Sequence, residues 1–150
     1  MADLLGAHAA IEEHVAAHWS TTALVFENEA PPDLVGPDGF LLPWVLCEIE
    51  NADSGLKTIG GKGVGLVIDT GFISLTVFVR RGTGRRLARE MAVQLADIVD
   101  TEILYRVSPD EYVRTWTPVI GRGNPAKSEN PNGNWWAINI MTPFNFYHRS

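Results

Sequence analysis

Residues 66–80, LVIDTGFISLTVFVR, carry the longest β signal in the chain and limit the fold most. Ile73, Leu75, Val77 and Val79 alternate with Phe72, Ser74, Thr76 and Phe78. A period of two belongs to a strand with one face towards a core. Gly71 inside the run marks a bulge or a bend.

Two helices are available to cover that face. From Asp3 to Trp19, the residues Leu4, His8, Ile11, Val15 and His18 recur at helical spacing, with Asp3 as N-cap. From Arg85 to Asp100, Leu87, Met91, Leu95 and Ile98 form a stripe broadened by Ala88, Ala92 and Val99. Gly82-Thr83-Gly84 breaks the chain before this helix, and Thr83 or Gly84 is its expected cap.

Shorter β signals fill the rest. Residues 23–29 read as a strand, and the proline-rich stretch 30–43 as a loop. In 44–50, Val45, Cys47 and Ile49 face one way, and Leu46, Glu48 and Glu50 the other. Residues 112–120 form a strand, 121–133 a polar loop, and 134–147 a last strand ended or bent at Pro143. The expected order is helix, three strands, helix, two strands. That is an α+β fold, with a mainly antiparallel sheet of about five strands and both amphipathic helices on one face.

A chain of 150 residues suits one domain. Its net charge of −6 gives no general attraction for nucleic acid or anionic membranes. The single cysteine, Cys47, excludes an intramolecular disulfide and fits a reducing compartment. The N-terminus lacks the basic and apolar regions of a secretory signal, and no apolar run is long enough to span a membrane.

The glycine-rich segment 58–72, TIGGKGVGLVIDTGF, raises the question of a phosphate cradle. A Walker loop needs a hydroxyl residue after its lysine and a helix to follow, because the helix N-terminus supplies the amide donors. Here Gly63 follows Lys62, and a strand comes next. A hairpin loop carrying Lys57 and Lys62 is the expectation, and no cofactor is expected.

His14 and His18 stand one helical turn apart, a metal-ligand spacing, but without the glutamate of the zinc-protease motif or a third ligand. They read as core or surface histidines, and no metal is expected. Cys47 reads as a small buried hydrophobe. Glu27 with Glu29, and Glu48 with Glu50, form carboxylate pairs that read as solvated strand faces. No catalytic residue is assigned.

The second helix has an inverted charge order. Arg85, Arg86 and Arg89 open it, while Asp97 and Asp100 close it. The macrodipole prefers the reverse, by about 0.3–1 kcal/mol per charge at low salt. A basic end meeting an acidic neighbour recovers that loss, so these five residues are the expected subunit interface.

Four stretches together resemble a known family: AAIEEHVAAHW, ALVFENEAPPD, GFISLTVFVRRGTGRRLAREMAVQLADIV and GNWWAINIMTPFNFYHR. In order and spacing they are similar to the tail-terminator (tail completion) proteins of long-tailed bacteriophages and phage-derived particles. The resemblance spans residues 7–148, and the polar loop 121–134 departs from it. It implies an α+β structural protein without catalysis, forming a hexameric ring on a finished tail tube. The ring stops polymerisation and offers a surface to the head connector. The implied partners are therefore further copies of the chain, the tail tube protein and the head–tail connector protein, with genome DNA passing unbound. The implied location is the head-proximal end of the tail, after assembly in the host cytoplasm.

Beside that resemblance, Lys57, Lys62, Arg122 and Lys127 are the expected contacts to acidic tube or connector surfaces. Glu27, Glu29, Glu48 and Glu50 are the expected lumen or acidic face, which would not retain DNA. Two other readings stay open: a head-side neck or head-completion protein, and a small α+β enzyme or ligand-binding domain.

Overall fold

A computed structural model of the chain describes residues 2–32, 34–56, 64–127 and 134–149. Helix α1 spans Leu4–His18 and helix α2 spans Arg86–Val99. Eight strands accompany them: β1 Ala23–Phe26, β2 Trp44–Leu56, β3 Leu66–Arg80, β4 Ile103–Ser108, β5 Glu111–Thr115, β6 Val119–Ile120, β7 Asn124–Lys127 and β8 Asn134–Arg149. They form one mixed sheet in the order β1-β2-β3-β8-β5-β4, with β6 and β7 also paired to β8. The class is α+β, as expected, but the expectation of about five strands is corrected to eight among the described residues.

β3 occupies 66–80 as its alternation requires, with Ile73, Leu75, Val77 and Val79 fully buried. β8 pairs with it along its whole length, from Leu66 opposite Arg149 to Arg80 opposite Trp135, without a slip. Pro143 neither ends nor bends β8, contrary to expectation. The Pro143 carbonyl accepts the N–H of Trp116 at 2.9 Å. In an antiparallel strand a residue's N–H and C=O point to the same side, so the missing proline donor faces the gap between β5 and β6 and leaves the β3 ladder intact.

The other edge of β8 is filled by β5, β6 and β7 in turn, all antiparallel. From Thr115 opposite Phe144 to Val119 opposite Met141, four steps on one side match three on the other. The same one-residue excess separates Ile120 opposite Ile140 from Asn124 opposite Ala137. Residues 111–127 are thus one strand interrupted by two bulge-like insertions. The segment 121–133, read as a polar loop, contains β7. Asn124–Lys127 (NPAK) lacks an alternating signal, and its Pro125 is tolerated because β8 alone among the described strands pairs with it.

β1 runs parallel to β2 from Ala23 opposite Trp44 to Phe26 opposite Cys47. Parallel pairing needs a long crossover, which the proline-rich stretch before Trp44 supplies. β1 is shorter than expected because Glu27 and Asn28 turn away, Asn28 with φ 59°. β4 is an added strand. Its Tyr105 has φ 50°, and its register with β5 shifts between Leu104 and Ser108.

Both helices lie on one face of the sheet, as expected. The core joins Ala7, Ile11, Val15 and Trp19 to Ala88, Met91, Ala92, Leu95 and Val99 above Val45, Cys47, Val113, Ile138, Ile140, Phe144 and Phe146. Three expected core positions are exposed instead: Leu4, His18 and Leu87. Ala7 takes the place of Leu4, because α1 approaches the sheet closely at this end. A β-carbon at Gly6 would collide with the Tyr105 hydroxyl. At Leu87 the stripe instead passes through Ala88, one residue on.

Gly71 faces Phe144 on β8 and Asn51 on β2. The bulge it was expected to mark lies opposite, where β2 slips between Asn51 and Asp53. A side chain at Gly71 would strike the Glu50 carbonyl and the Phe144 ring. A second, smaller core sits on the far face of the sheet. Trp44 stacks on Phe78 at 4.3 Å and meets Trp135 edge-on at 6.2 Å, with Val25 and Leu41 packed alongside. No helix among the described residues is long and apolar enough to cross a membrane.

Candidate functional site

The most distinctive exposed surface is the outward side of α2. Gly82 and Gly84 adopt φ values of 89° and 82°, and the chain turns there from β3 into the helix. Neither expected cap, Thr83 or Gly84, takes the capping position. Arg85 is the N-cap without a side-chain bond, and Thr83 Oγ1 donates to the Arg80 carbonyl at 2.7 Å. The cap and first turn together carry three arginines, and the first turn has no acid to offset the macrodipole.

All five residues expected at a subunit interface share this surface. Arg85, Arg86, Arg89, Asp97 and Asp100 are exposed, and they line adjoining depressions around Val93. At 100° per residue, Arg86, Arg89, Val93, Asp97 and Asp100 fall on one stripe, opposite buried Ala88, Leu95 and Val99. Glu90 also lies on it and accepts from Arg86 Nε at 2.9 Å. The stripe reads basic, apolar, acidic along its length.

Sequence reasoning missed the apolar part. Val93 is 59% exposed, and Ile120, 38% exposed, lines a depression with it. Val93 was detectable as an aliphatic residue on the charged side of an amphipathic helix. Ile120 was not, because its place beside α2 follows from the interruption of 111–127. Arg122, an expected tube or connector contact, joins this surface, sharing a depression with Arg89, Val93 and Ile120.

The remaining candidates lie apart from it. Lys57 and Lys62 fall outside the described residues, and so does the side chain of Lys127, whose backbone sits in β7 opposite Asn134. Glu27 and Glu29 do not share a strand face, which corrects that expectation. The Glu27 carboxylate accepts the Ile49 N–H at 2.6 Å and the Glu29 carboxylate accepts the Phe26 N–H at 2.6 Å. Both satisfy backbone donors where β1 stops. Glu48 and Glu50 stand exposed on the sheet face away from the helices.

The histidine pair is occupied locally. His14 Nε2 donates to the Ile98 carbonyl at 2.8 Å, and His18 Nδ1 donates to the His14 carbonyl at 2.8 Å. The two rings lie 4.4 Å apart. Among the described residues no three His, Cys, Asp or Glu side chains gather as a metal site would require. Cys47 is buried, and that burial, with the charges of Glu12, Glu27 and Glu48, pushes its thiol up to about 12. It stays protonated at neutral pH, without the activated thiolate that nucleophilic chemistry needs.

The sheet face away from the helices carries a second, partly exposed grouping. The Arg106 guanidinium lies over Tyr112 at 5.3 Å, Arg114 over Trp116 at 4.4 Å, and Tyr112 packs on Tyr147 at 5.0 Å.

No protein-family model matches the chain, and no curated protein matches it. Solved structures do match its fold. One superposes with a TM-score of 0.66 at 15% sequence identity, over 100% of this chain and 99% of the other. Its designation describes no activity or partner, and the likeness is one of fold.

Proposed function

We propose that the chain is a structural protein of the tail-terminator kind. Six copies form a ring that caps a finished tail tube, stops its growth and presents a surface to the head connector. The reading begins from the resemblance in sequence order. What supports contact between copies in the structure is the outward stripe of α2, where Arg86 and Arg89, Val93, and Asp97 and Asp100 follow one another, while the closure into a ring of six comes from the resemblance. A surface with both charges and an apolar middle suits another copy of itself, and its inverted charge order then recovers what the macrodipole withholds.

The ring sits at the head-proximal end of the tail. Its neighbours are the tail tube protein and the head–tail connector protein, with Arg122 among the contacts. The chain's net charge of −6 lets DNA pass with little attraction. Glu48 and Glu50, exposed on the open sheet face, suit a lumen wall.

The test is tail length, seen by negative-stain electron microscopy in particles made with and without this chain. Overlong or headless tubes in its absence support the terminator. Tails of normal length beside heads that fail to join overturn it in favour of a head-side neck protein. Normal particles remove the assembly role.

A further inference from the structure

We propose that two copies of the chain pair through α2, antiparallel, about a two-fold axis that passes through Val93. The inference rests on the reading that this chain meets copies of itself, not on its place in a tail. The stripe is symmetric in position and antisymmetric in charge. Arg89 and Asp97 each stand four residues from Val93, and Arg86 and Asp100 each stand seven from it.

Laying one α2 antiparallel on another with Val93 opposite Val93 puts Arg89 against Asp97 of the second copy, and Arg86 against its Asp100. Both pairs occur twice, as a two-fold contact demands. Packing at about 20° keeps the ends of the two helices within reach of arginine side chains. Each basic N-terminus then lies beside the negative end of the other helix, so the arrangement unfavourable within one chain becomes favourable between two.

The rest of the surface is compatible with this contact. Val93 is 59% exposed, and Ile120, which lines the same depression, is 38% exposed, leaving an aliphatic centre for the axis. Ala96 falls opposite Glu90, so the stripe's one discordant charge meets no like charge on the second helix. In the free chain Glu90 holds Arg86, with Arg86 93% and Glu90 56% exposed in their side chains, an exposed pair that Asp100 of a second copy can compete with. A contact limited to one helix and its flank lies at the small end of specific interfaces, so the pairing is weak and concentration-dependent. A two-fold contact is complete with two copies, and a ring of six needs a separate head-to-tail surface besides.

Cross-linking distinguishes the geometry. Packed helices lie about 8–10 Å apart, which brings facing α-carbons at the contact within the roughly 7 Å that a disulfide spans. Val93→Cys is therefore expected to oxidise to a covalent dimer roughly tenfold faster than Glu13→Cys on exposed α1, and to do so less in 1 M salt. The native thiol of Cys47 is buried and does not interfere.

Sedimentation at low salt gives the second readout. Arg89→Glu is expected to weaken dimerisation roughly tenfold or more by placing like charges together, and Arg89→Glu with Asp97→Arg in one chain is expected to restore it. Equal cross-linking rates at the two cysteine positions overturn the two-fold contact. So does a double reversal that fails to rescue while its circular dichroism matches the parent. If Arg89→Glu disrupts assembly but Val93→Cys does not cross-link, α2 meets another copy head to tail, and the ring reading survives without the dimer.

Discussion

The imidazole of His14 donates from Nε2 to the backbone carbonyl of Ile98 at 2.8 Å. This bond ties the C-terminal half of α1 to the last turn of α2, where backbone carbonyls lack intrahelical donors. His14→Ala removes it in a partly buried setting. The expected loss is about 0.5–1.5 kcal/mol of unfolding free energy, measured by urea denaturation. His18→Ala removes only an exposed bond within its own helix, and a smaller loss is expected from the same measurement.

Gly71→Ala tests the close approach of three strands. The new methyl group meets the Glu50 carbonyl and the Phe144 ring, neither of which can swing aside. Overpacking of this kind costs about 1–3 kcal/mol. Thermal melting is expected to show a lower midpoint for Gly71→Ala than for Gly39→Ala, where nothing lies near the added carbon and only the positive φ of 82° opposes the change.

Cys47 makes stability fall at alkaline pH. Its thiol rises from 9.0 to about 12 in the folded chain, mainly through burial, so the unfolded chain ionises first. A group whose folded pKa is raised stabilises below its unfolded value and loses that contribution as pH climbs towards the folded one. The window is therefore about pH 9 to 12. By pH 10 the loss is on the order of 1 kcal/mol. Denaturation of the parent and of Cys47→Ala at pH 7 and pH 10 measures it, and the extra alkaline loss is expected in the parent alone.

Asn139 bridges two strands on the open sheet face. Its Nδ2 donates to Ser74 Oγ at 2.7 Å and to Thr76 Oγ1 at 3.0 Å. Asn139→Ala leaves both hydroxyls without this donor and is expected to cost about 1–2 kcal/mol. Ser74→Ala in the same background is expected to cost less than in the parent, since the bond is already gone. A double-mutant cycle by chemical denaturation checks the coupling.

Strong periodicity made much of the fold legible. β3 alternates from Gly71 to Arg80, and α2 has a broad apolar stripe preceded by Gly82 and Gly84, so both appear close to their expected bounds. β4 was hidden because Tyr105 turns to positive φ and breaks the alternation. β7 was hidden because a polar edge segment with a proline looks like a loop until β8 is seen to hold it. The charged residues of the α2 surface were legible from the dipole argument. The placement of Ile120 there was not, since it comes to Val93 only through tertiary packing.

The interrupted strand of residues 111–127 also bears on how the chain reaches this structure. Lys127 finds Asn134 across a short connection, whereas Arg80 must find Trp135 after all of α2 and four further strands have been laid down. Closing the shorter loop costs less entropy, and contacts near in sequence form faster. The β5–β8 hairpin is therefore the natural early unit, assembled before β3 docks on its free edge. The slips on either side of β6 lie within that unit, and the ladder left for the slow long-range step is the one with no slips at all.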